Sequence, residues 1–320
     1  MRRLGAVLAA ALALTMPHGI AHAQQQTLAV FTKSQGNPVA RAIRIGAETA
    51  ARAEKFAVLS FVPTSAESVA EQTSLAEEAL RAKPAAVVFN PADVKALVPI
   101  VAKFIAAGVP VVNVNDRLAG GTVTAYVGSD DQAIARATAR VLFKAMGGKG
   151  TVVILEGPPK AASSQARVRG FNEALKEFGE VKVLASQTAN YARKPAATLM
   201  GNLIRKFPQI DGVLAGNDPM ALGALDALAA AKRKALVVGI NASREAAGLI
   251  KAGTMLASGD YNGFVEGCVA AQLAIRAVRK QTLPKQAILR TIVVDKSNAA
   301  PYESSLESRT CPSVEQAVDG

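Results

Sequence analysis

The chain has 320 residues, 50% of them hydrophobic, and its 37 Lys and Arg outweigh 25 Asp and Glu to give a formal net charge of +12. That is enough apolar material for two cores. The charge is scattered along helical faces (Arg41, Arg44, Arg52, Arg136, Arg140, Lys232, Lys234) rather than gathered in a basic block with interleaved aromatics, which argues against nucleic acid as a partner.

The chain opens with an address. Met1-Arg2-Arg3 is a basic start, Leu4–Met16 is an apolar run, and Ala21-His22-Ala23 has the form of a cleavage signal. The expected reading is a secretory signal peptide over 1–23, cut after Ala23, with the product in the periplasm. The apolar run is short of the roughly 20 residues a membrane span needs. Both histidines, His18 and His22, lie inside this segment. The exported product would therefore have no Ser/His/Asp triad, His-ligated zinc or His general base. The nucleotide-binding glycine motifs and G-x-S-x-G are absent, and Gly147–Thr151 precedes a strand and reads as a tight turn. Neither a metal nor another cofactor is called for, and an enzyme is not expected.

Beyond the address, apolar runs alternate with helical patterns. Strand Leu28–Phe31, a helix around Ala40–Ala53 and strand Val58–Phe61 come first, followed by a helix over Ser65–Ala82. Val87–Phe89 exits through Asn90-Pro91-Ala92-Asp93 into a helix carrying Val94, Leu97, Val98, Val101 and Ile105; Val109–Val112 exits through Asn113-Val114-Asn115-Asp116. Thr122–Val127 is a further strand, and Gly128-Ser129-Asp130-Asp131 starts a helix. The pattern then repeats with strand Val152–Leu155, helix Ala166–Phe178, strand Val181–Ala185, strand Val213–Ala215 leading into the helix that ends near Ala231, and strand Leu236–Val238 exiting at Gly239-Ile240-Asn241. Each strand of the second set follows its counterpart by about 125 residues, the mark of an internal duplication. Strands alternating with helices imply parallel sheets. Met255–Ser258, the turn Gly259–Gly263, a helix bearing Phe264, Cys268, Ala271, Ile275 and Val278, and a strand over Leu289–Val294 complete the chain and suggest several crossings between the halves.

In open α/β sheets ligands bind at the carboxyl ends of the strands. Asn217-Asp218-Pro219 stands at such an end. Asp218 before Pro219 reads as the cap of the following helix, which leaves Asn217, like Asn90, as a candidate for the ligand.

In sum of motifs, Asn37-Pro38, Asn90-Pro91, Val109-Pro110-Val111 leading to Asp116-Arg117, Gly128-Ser129-Asp130, Arg167-x-x-Gly170-Phe171 and Asn217-Asp218-x-Met220-Ala221-Leu222-Gly223-Ala224 occur together and in order. Over Leu28–Lys296 the chain resembles a periplasmic sugar-binding protein of the ribose-binding type, the solute receptor of an ABC importer. The resemblance implies the α/β fold of two flavodoxin-like, Rossmann-like lobes joined by a three-strand hinge. The implied division is 24–128 with 262–288 for the first lobe and 129–261 with 289–320 for the second. The implied ligand set is Asn37, Asn90, Asp116, Arg117, Arg167, Asn217 and Asn241, with Tyr191 and Tyr261 beside them; Lys33, just past the first strand, is a further candidate. Amides, carboxylates and guanidinium forks suit a polyhydroxylated ligand, because each hydroxyl both donates and accepts.

Three departures bear on the ligand. Val39 and Ala40 stand where the family usually has stacking aromatics, Asn241 where it has an Asp, and Tyr261 where an amide is common. A pentose or hexose, a smaller or linear polyol, and an acidic sugar all remain open. The expected role is a monomeric receptor handing its ligand to a membrane permease; a sensor of the same fold and a secreted carbohydrate-active enzyme are the alternatives. Cys268 on an apolar helix face reads as a buried thiol, but an even count in an exported chain favours a Cys268–Cys311 bridge.

Overall fold

The computed structural model describes residues 25–318, so the segment expected as a signal peptide lies outside the described residues. Among the described residues no helix is long and apolar enough to cross a membrane.

The apolar runs become two six-stranded sheets. The first comprises β1 (Thr27–Phe31), β2 (Ala57–Phe61), β3 (Ala86–Phe89), β4 (Val111–Val114), β5 (Ala125–Gly128) and β11 (Gln286–Ile288), in the order β11-β5-β4-β3-β1-β2. The second comprises β6 (Lys149–Glu156), β7 (Glu180–Thr188), β8 (Gly212–Ala215), β9 (Leu236–Ile240), β10 (Ala257–Asp260) and β12 (Ile292–Val294), in the order β12-β10-β9-β8-β6-β7. Every pairing is parallel except that of β12 with β10. The two sheets have the same order, as the duplication requires, and strand order reverses beside β1 and beside β6. β3, β4, β5 and β8 are buried along their whole length. Continuous burial of this kind is what a parallel sheet covered on both faces demands.

Helices supply those covers: α1 (Pro38–Ala53), α2 (Val69–Ala82), α3 (Val98–Ala106) and α9 (Gly263–Val278) on the first sheet, α4 (Asp131–Ala145), α5 (Ala162–Glu177), α6 (Arg193–Lys206), α7 (Asp218–Ala230) and α8 (Arg244–Ala252) on the second. The chain crosses between sheets at 129–130, 261–262 and 289–291, each time just beyond a strand of the sheet it leaves. The closest helix contact is that of α1 with α9. Gly46 and Gly267 meet there, and a Cβ on either would collide with a backbone carbonyl of the facing helix, Phe264 or Ile43.

Local signals move several boundaries. α1 begins at Pro38 because Pro fits the first helical position. α2 begins at Val69, capped by Ser68, since Glu67 has φ 58° and cannot be helical. The polar turn expected at Gly259 is strand through Asp260, where β10 pairs with β12. The single strand expected over Leu289–Val294 is two, since the chain changes sheets between β11 and β12.

The tail departs from the expected division, which placed 289–320 with the second lobe. A 3-10 turn at Ala300–Glu303 stays with α8, where Lys251 pairs with Glu303 at 2.7 Å, and Tyr302 donates to Asp260 Oδ2 at 2.6 Å. The chain then returns to the first lobe: Glu307 pairs with Arg41 at 2.5 Å, and α10 (Val314–Ala317) buries Val314 and Ala317 in its core. Cys311 is disulfide-bonded to Cys268 of α9, with Cα atoms 5.5 Å apart. The reason is apolar: Leu306, Cys311, Val314 and Ala317 complete a surface of α1 and α9 that would otherwise face water. The bridge closes 43 residues, which in the chain-entropy account is worth about 4 kcal/mol. The double variant Cys268→Ala/Cys311→Ala is expected to lose about that much stability in denaturant unfolding, against the oxidised parent. A loss well under about 1 kcal/mol would mean that tail packing, not the bridge, holds this end.

Candidate functional site

The carboxyl ends of the parallel strands gather on one edge of each sheet, and the helices that follow put their N-termini there. On the first lobe Lys33, two residues past β1, lies 2.9 Å from Asp116 and 3.5 Å from Glu67. Burial opposes the Lys33 ammonium, but these two carboxylates outweigh it and hold the pKa above its ordinary value. Asn37 caps α1, its Oδ1 accepting from the backbone of Val39 and Ala40 at 2.9 and 3.2 Å. Asn90 is fully buried; its Nδ2 reaches the Val114 carbonyl at 3.5 Å and its Oδ1 has no donor among the described residues. Gln72 of α2 ties the ends of β1 and β3 together by donating to the Thr32 and Asn90 carbonyls (3.3 and 2.9 Å) and accepting from Ala92 N (2.7 Å).

On the second lobe Arg167 is the centre. It is 5% exposed, donates from Nε to Asp131 at 2.7 Å and from Nη1 to the Gly216 carbonyl at 2.7 Å, and lies over the rings of Tyr191 and Tyr261 at 5.5 and 5.1 Å. Burial pushes the Asp131 carboxyl up, and Arg167 opposes that rise. The Tyr191 ring lies against Gly157, where a side chain would collide with it, and near Gly216, and its hydroxyl is 3.2 Å from Ser163 Oγ.

The helix cap expected at Asp218 is Asn217. Asn217 caps α7 through Met220 N at 3.0 Å, while its Nδ2 donates to the Tyr191 carbonyl at 3.0 Å. Asp218, fully buried, accepts from Ser258 Oγ at 2.6 Å and Ser243 N at 2.7 Å, holding the exits of β9 and β10. The cap sits one residue earlier because Pro219 takes the second helical position.

Arg117 is placed differently from the other candidates. It is exposed, stacks 3.8 Å over Tyr126 and donates to Gln286 at 3.0 Å, so its fork is taken up by the first lobe's own surface. Asn241 stands at the exit of β9 with φ 123°, followed by Ala242 at 46°. Asn115, Asn190, Tyr191 and Asn262 also have positive φ at strand exits or crossings. Side chains other than Gly pay strain there.

The crossings join the two edges. Tyr261 accepts at its hydroxyl from Asn115 Nδ2 (3.2 Å) and at its carbonyl from Ser129 Oγ (2.8 Å). Burial holds its phenol far above the ordinary pKa, so the hydroxyl keeps a proton to donate. Asn115, Asp131 and Glu266 complete this arrangement and are not among the candidates read from sequence. Asp131 lies beside a recognisable helix start, yet its partner Arg167 is 36 residues away and only the fold joins them. Among the described residues no three His, Cys, Asp or Glu side chains assemble as a metal site.

Two lobes of equal topology, hinged at the carboxyl edges and lined there by amides and ion pairs, define a two-lobed binding protein. The periplasmic binding protein domain matches residues 28–282, and the chain belongs to that family, in its ribose-binding type, whose members are binding proteins and not enzymes. It is 35% identical over 209 residues to a xylitol-binding protein of Mycolicibacterium smegmatis (65% of this chain, 59% of that protein). It is 31% identical to a D-apiose import binding protein of Actinobacillus succinogenes, over 87% of this chain and 91% of that one. Among solved structures, a periplasmic solute-binding protein of an ABC transporter from Actinobacillus succinogenes, bound to D-allose, superposes with a TM-score of 0.81 at 29% identity, over 87% of this chain and all of that one. The fructose-binding periplasmic domain of a hybrid two-component system superposes at 0.72 with 25% identity, over 87% of this chain and 93% of that one.

Arg167 and Asp131 form a buried pair, and removing one partner of such a pair typically costs about 3–5 kcal/mol. Arg167→Ala is therefore expected to lower unfolding stability by that order, and adding Asp131→Asn to recover part of it. Equal stability of the parent and Arg167→Ala in denaturant would show that the pair contributes nothing net.

Proposed function

We propose that the chain is exported, cut after Ala23, and captures a sugar or polyol between its lobes for delivery to an ABC permease. The observation that carries this reading is the convergence of unlike polar groups from both lobes on the hinge: Lys33 with Asp116 on one side, Arg167 with Asn217 on the other, and Tyr261 between. A polyhydroxylated molecule presents alternating donors and acceptors, and this set offers both in fixed directions. The rings of Tyr191 and Tyr261 add flat apolar faces for its C–H surface. The ligands named for the relatives (xylitol, D-apiose, D-allose) are all of this chemistry. Asn37, Asn90 and Asn241 belong to the proposed set; Arg117 joins it only by leaving Tyr126 and Gln286. Binding shared between lobes favours the closed arrangement over the open one, and that closed form is what a permease would read. The receptor acts as a monomer.

A second reading, a sensor reporting to a kinase or chemoreceptor, is favoured by the likeness to the fructose-binding domain of a two-component system. Deleting the gene separates the two: loss of labelled-sugar uptake supports the importer, whereas intact uptake with a lost transcriptional response supports the sensor.

A thermal-shift screen of pentoses, hexoses, polyols and sugar acids tests the ligand class, since a ligand at about 100 times its Kd adds about 2.7 kcal/mol. Calorimetry then tests the site. Asp116→Ala removes an acceptor, and Arg167→Lys removes the fork while keeping a charge for Asp131. Hydrogen bonds to charged groups are worth about 1.5–3 kcal/mol, so each change should weaken binding roughly 10-fold to 150-fold. Arg136→Ala, on the exposed pair with Glu177, should leave Kd unchanged. If substitutions in only one lobe matter, the shared cleft is wrong.

A further inference from the structure

Glu266, in the first turn of α9, is completely buried where the first two crossings pass. Its Oε2 accepts from Asn115 Nδ2 at 3.1 Å, the same amide that donates to the Tyr261 hydroxyl. Ser129 lies against it, but the Ser129 hydroxyl proton goes to the Tyr261 carbonyl, and Oε1 has no donor among the described residues. The rest of this helix buries Phe264, Cys268, Ala271 and Ile275, and an apolar side chain at 266 would satisfy that core without an unpartnered oxygen.

We propose that Glu266 is a positioning residue for the ligand site: it holds Asn115, and through Asn115 the Tyr261 hydroxyl, where a ligand hydroxyl meets them. This rests on the sugar- or polyol-binding reading above. Burial raises its carboxyl to about 8, beyond the relief that Asn115 and Ser129 give, and Asp116 and Asp131 push the same way. The described residues that α9's neighbours turn to it are apolar, and Arg117 rests on Tyr126. α1 faces it with Ala42, Ile43, Gly46 and Ala47, the strands with Val88, Val112 and Val114, and α10 with Val314. Tyr126, also near, is neutral, and Arg167 is held by Asp131. At neutral pH the acid is therefore un-ionised. Above about pH 8 the carboxylate would draw the Asn115 amide from Tyr261 and face Asp116 and Asp131 as a charge.

Two readouts test this on the full chain. In the ligand-free protein, the Asn115 side-chain amide resonance, assigned by its loss in Asn115→Gly, should move between pH 6.5 and 9.5 with a midpoint near 8. Glu266→Gln should abolish that step. With xylitol, D-ribose and D-allose as probes, parent Kd should rise up to about 30-fold from pH 7 to 9.5, as the competent fraction falls, while Glu266→Gln stays flat. An unmoved Asn115 resonance, the same step in Glu266→Gln, or one pH profile of Kd for both proteins overturns the proposal. If no probe binds while the Asn115 step appears and vanishes as stated, the ligand class fails and the positioning role stands. Should Glu266→Gln not fold, Glu266→Met serves in its place, with the same expected loss of the step.

Discussion

The carboxyl edge of a parallel sheet is the constraint that organises this molecule. Every strand of such a sheet ends on the same side, and helices that return the chain begin there with unpaired N–H groups. Polar side chains collect at that edge because the backbone needs them: Asn37, Ser68, Asn217 and Ser243 each cap a helix that follows a strand. Duplication makes a second such edge, and crossings that leave by the carboxyl ends of β5, β10 and β11 turn the two toward a common hinge. Groups selected first for capping are thereby concentrated where a ligand can use the donors they have left.

Burial gives that edge its electrostatic character. Arg167 has both its Asp131 and Gly216 partners inside the protein, so its charge is compensated before any ligand arrives. Lys33 and Asp116 are likewise paired. A neutral sugar placed among such groups exchanges one set of hydrogen bonds for another, without an uncompensated charge in the core. The same logic separates Glu266, buried with no cation paired to it among the described residues, from Arg117, whose guanidinium rests on the lobe's surface.

The lobes and their order were legible because each buried strand is an apolar run closed by Asn or Asp, and the runs recur at a near-constant spacing. Helix α6, RKPAATLMGNLIRK, was missed although Ala196, Met200 and Leu203 recur at helical spacing and are buried, because its two opening cations and Pro read as a loop. Most of the candidate residues lie just past strand ends, since a strand exit is a local feature. What escaped were partners supplied by distant elements. Asp131 faces Arg167, Asn115 faces Tyr261, and Glu266 faces Asn115, each decided by which helix crosses back. The cap was placed at Asp218 instead of Asn217 because a one-residue shift in the cap leaves the sequence pattern unaltered.

The missing aromatic pair after Asn37 has a structural counterpart. Val39 and Ala40 do not leave a gap: Ala40 is buried, and Val39 packs against the start of α9, where its Cγ1 lies 3.3 Å from the place a side chain on Gly263 would take. Larger rings at these positions would push α1 from α9, whose contact at Gly46 and Gly267 already leaves no room. Two rings do stand at the other edge, Tyr191 of the second lobe and Tyr261 of the crossing, and the Arg167 guanidinium lies over both. Charge and amides thus stand at both strand-exit edges, with Lys33, Asp116 and Asn90 on the first lobe and Arg167, Asp131 and Asn217 on the second.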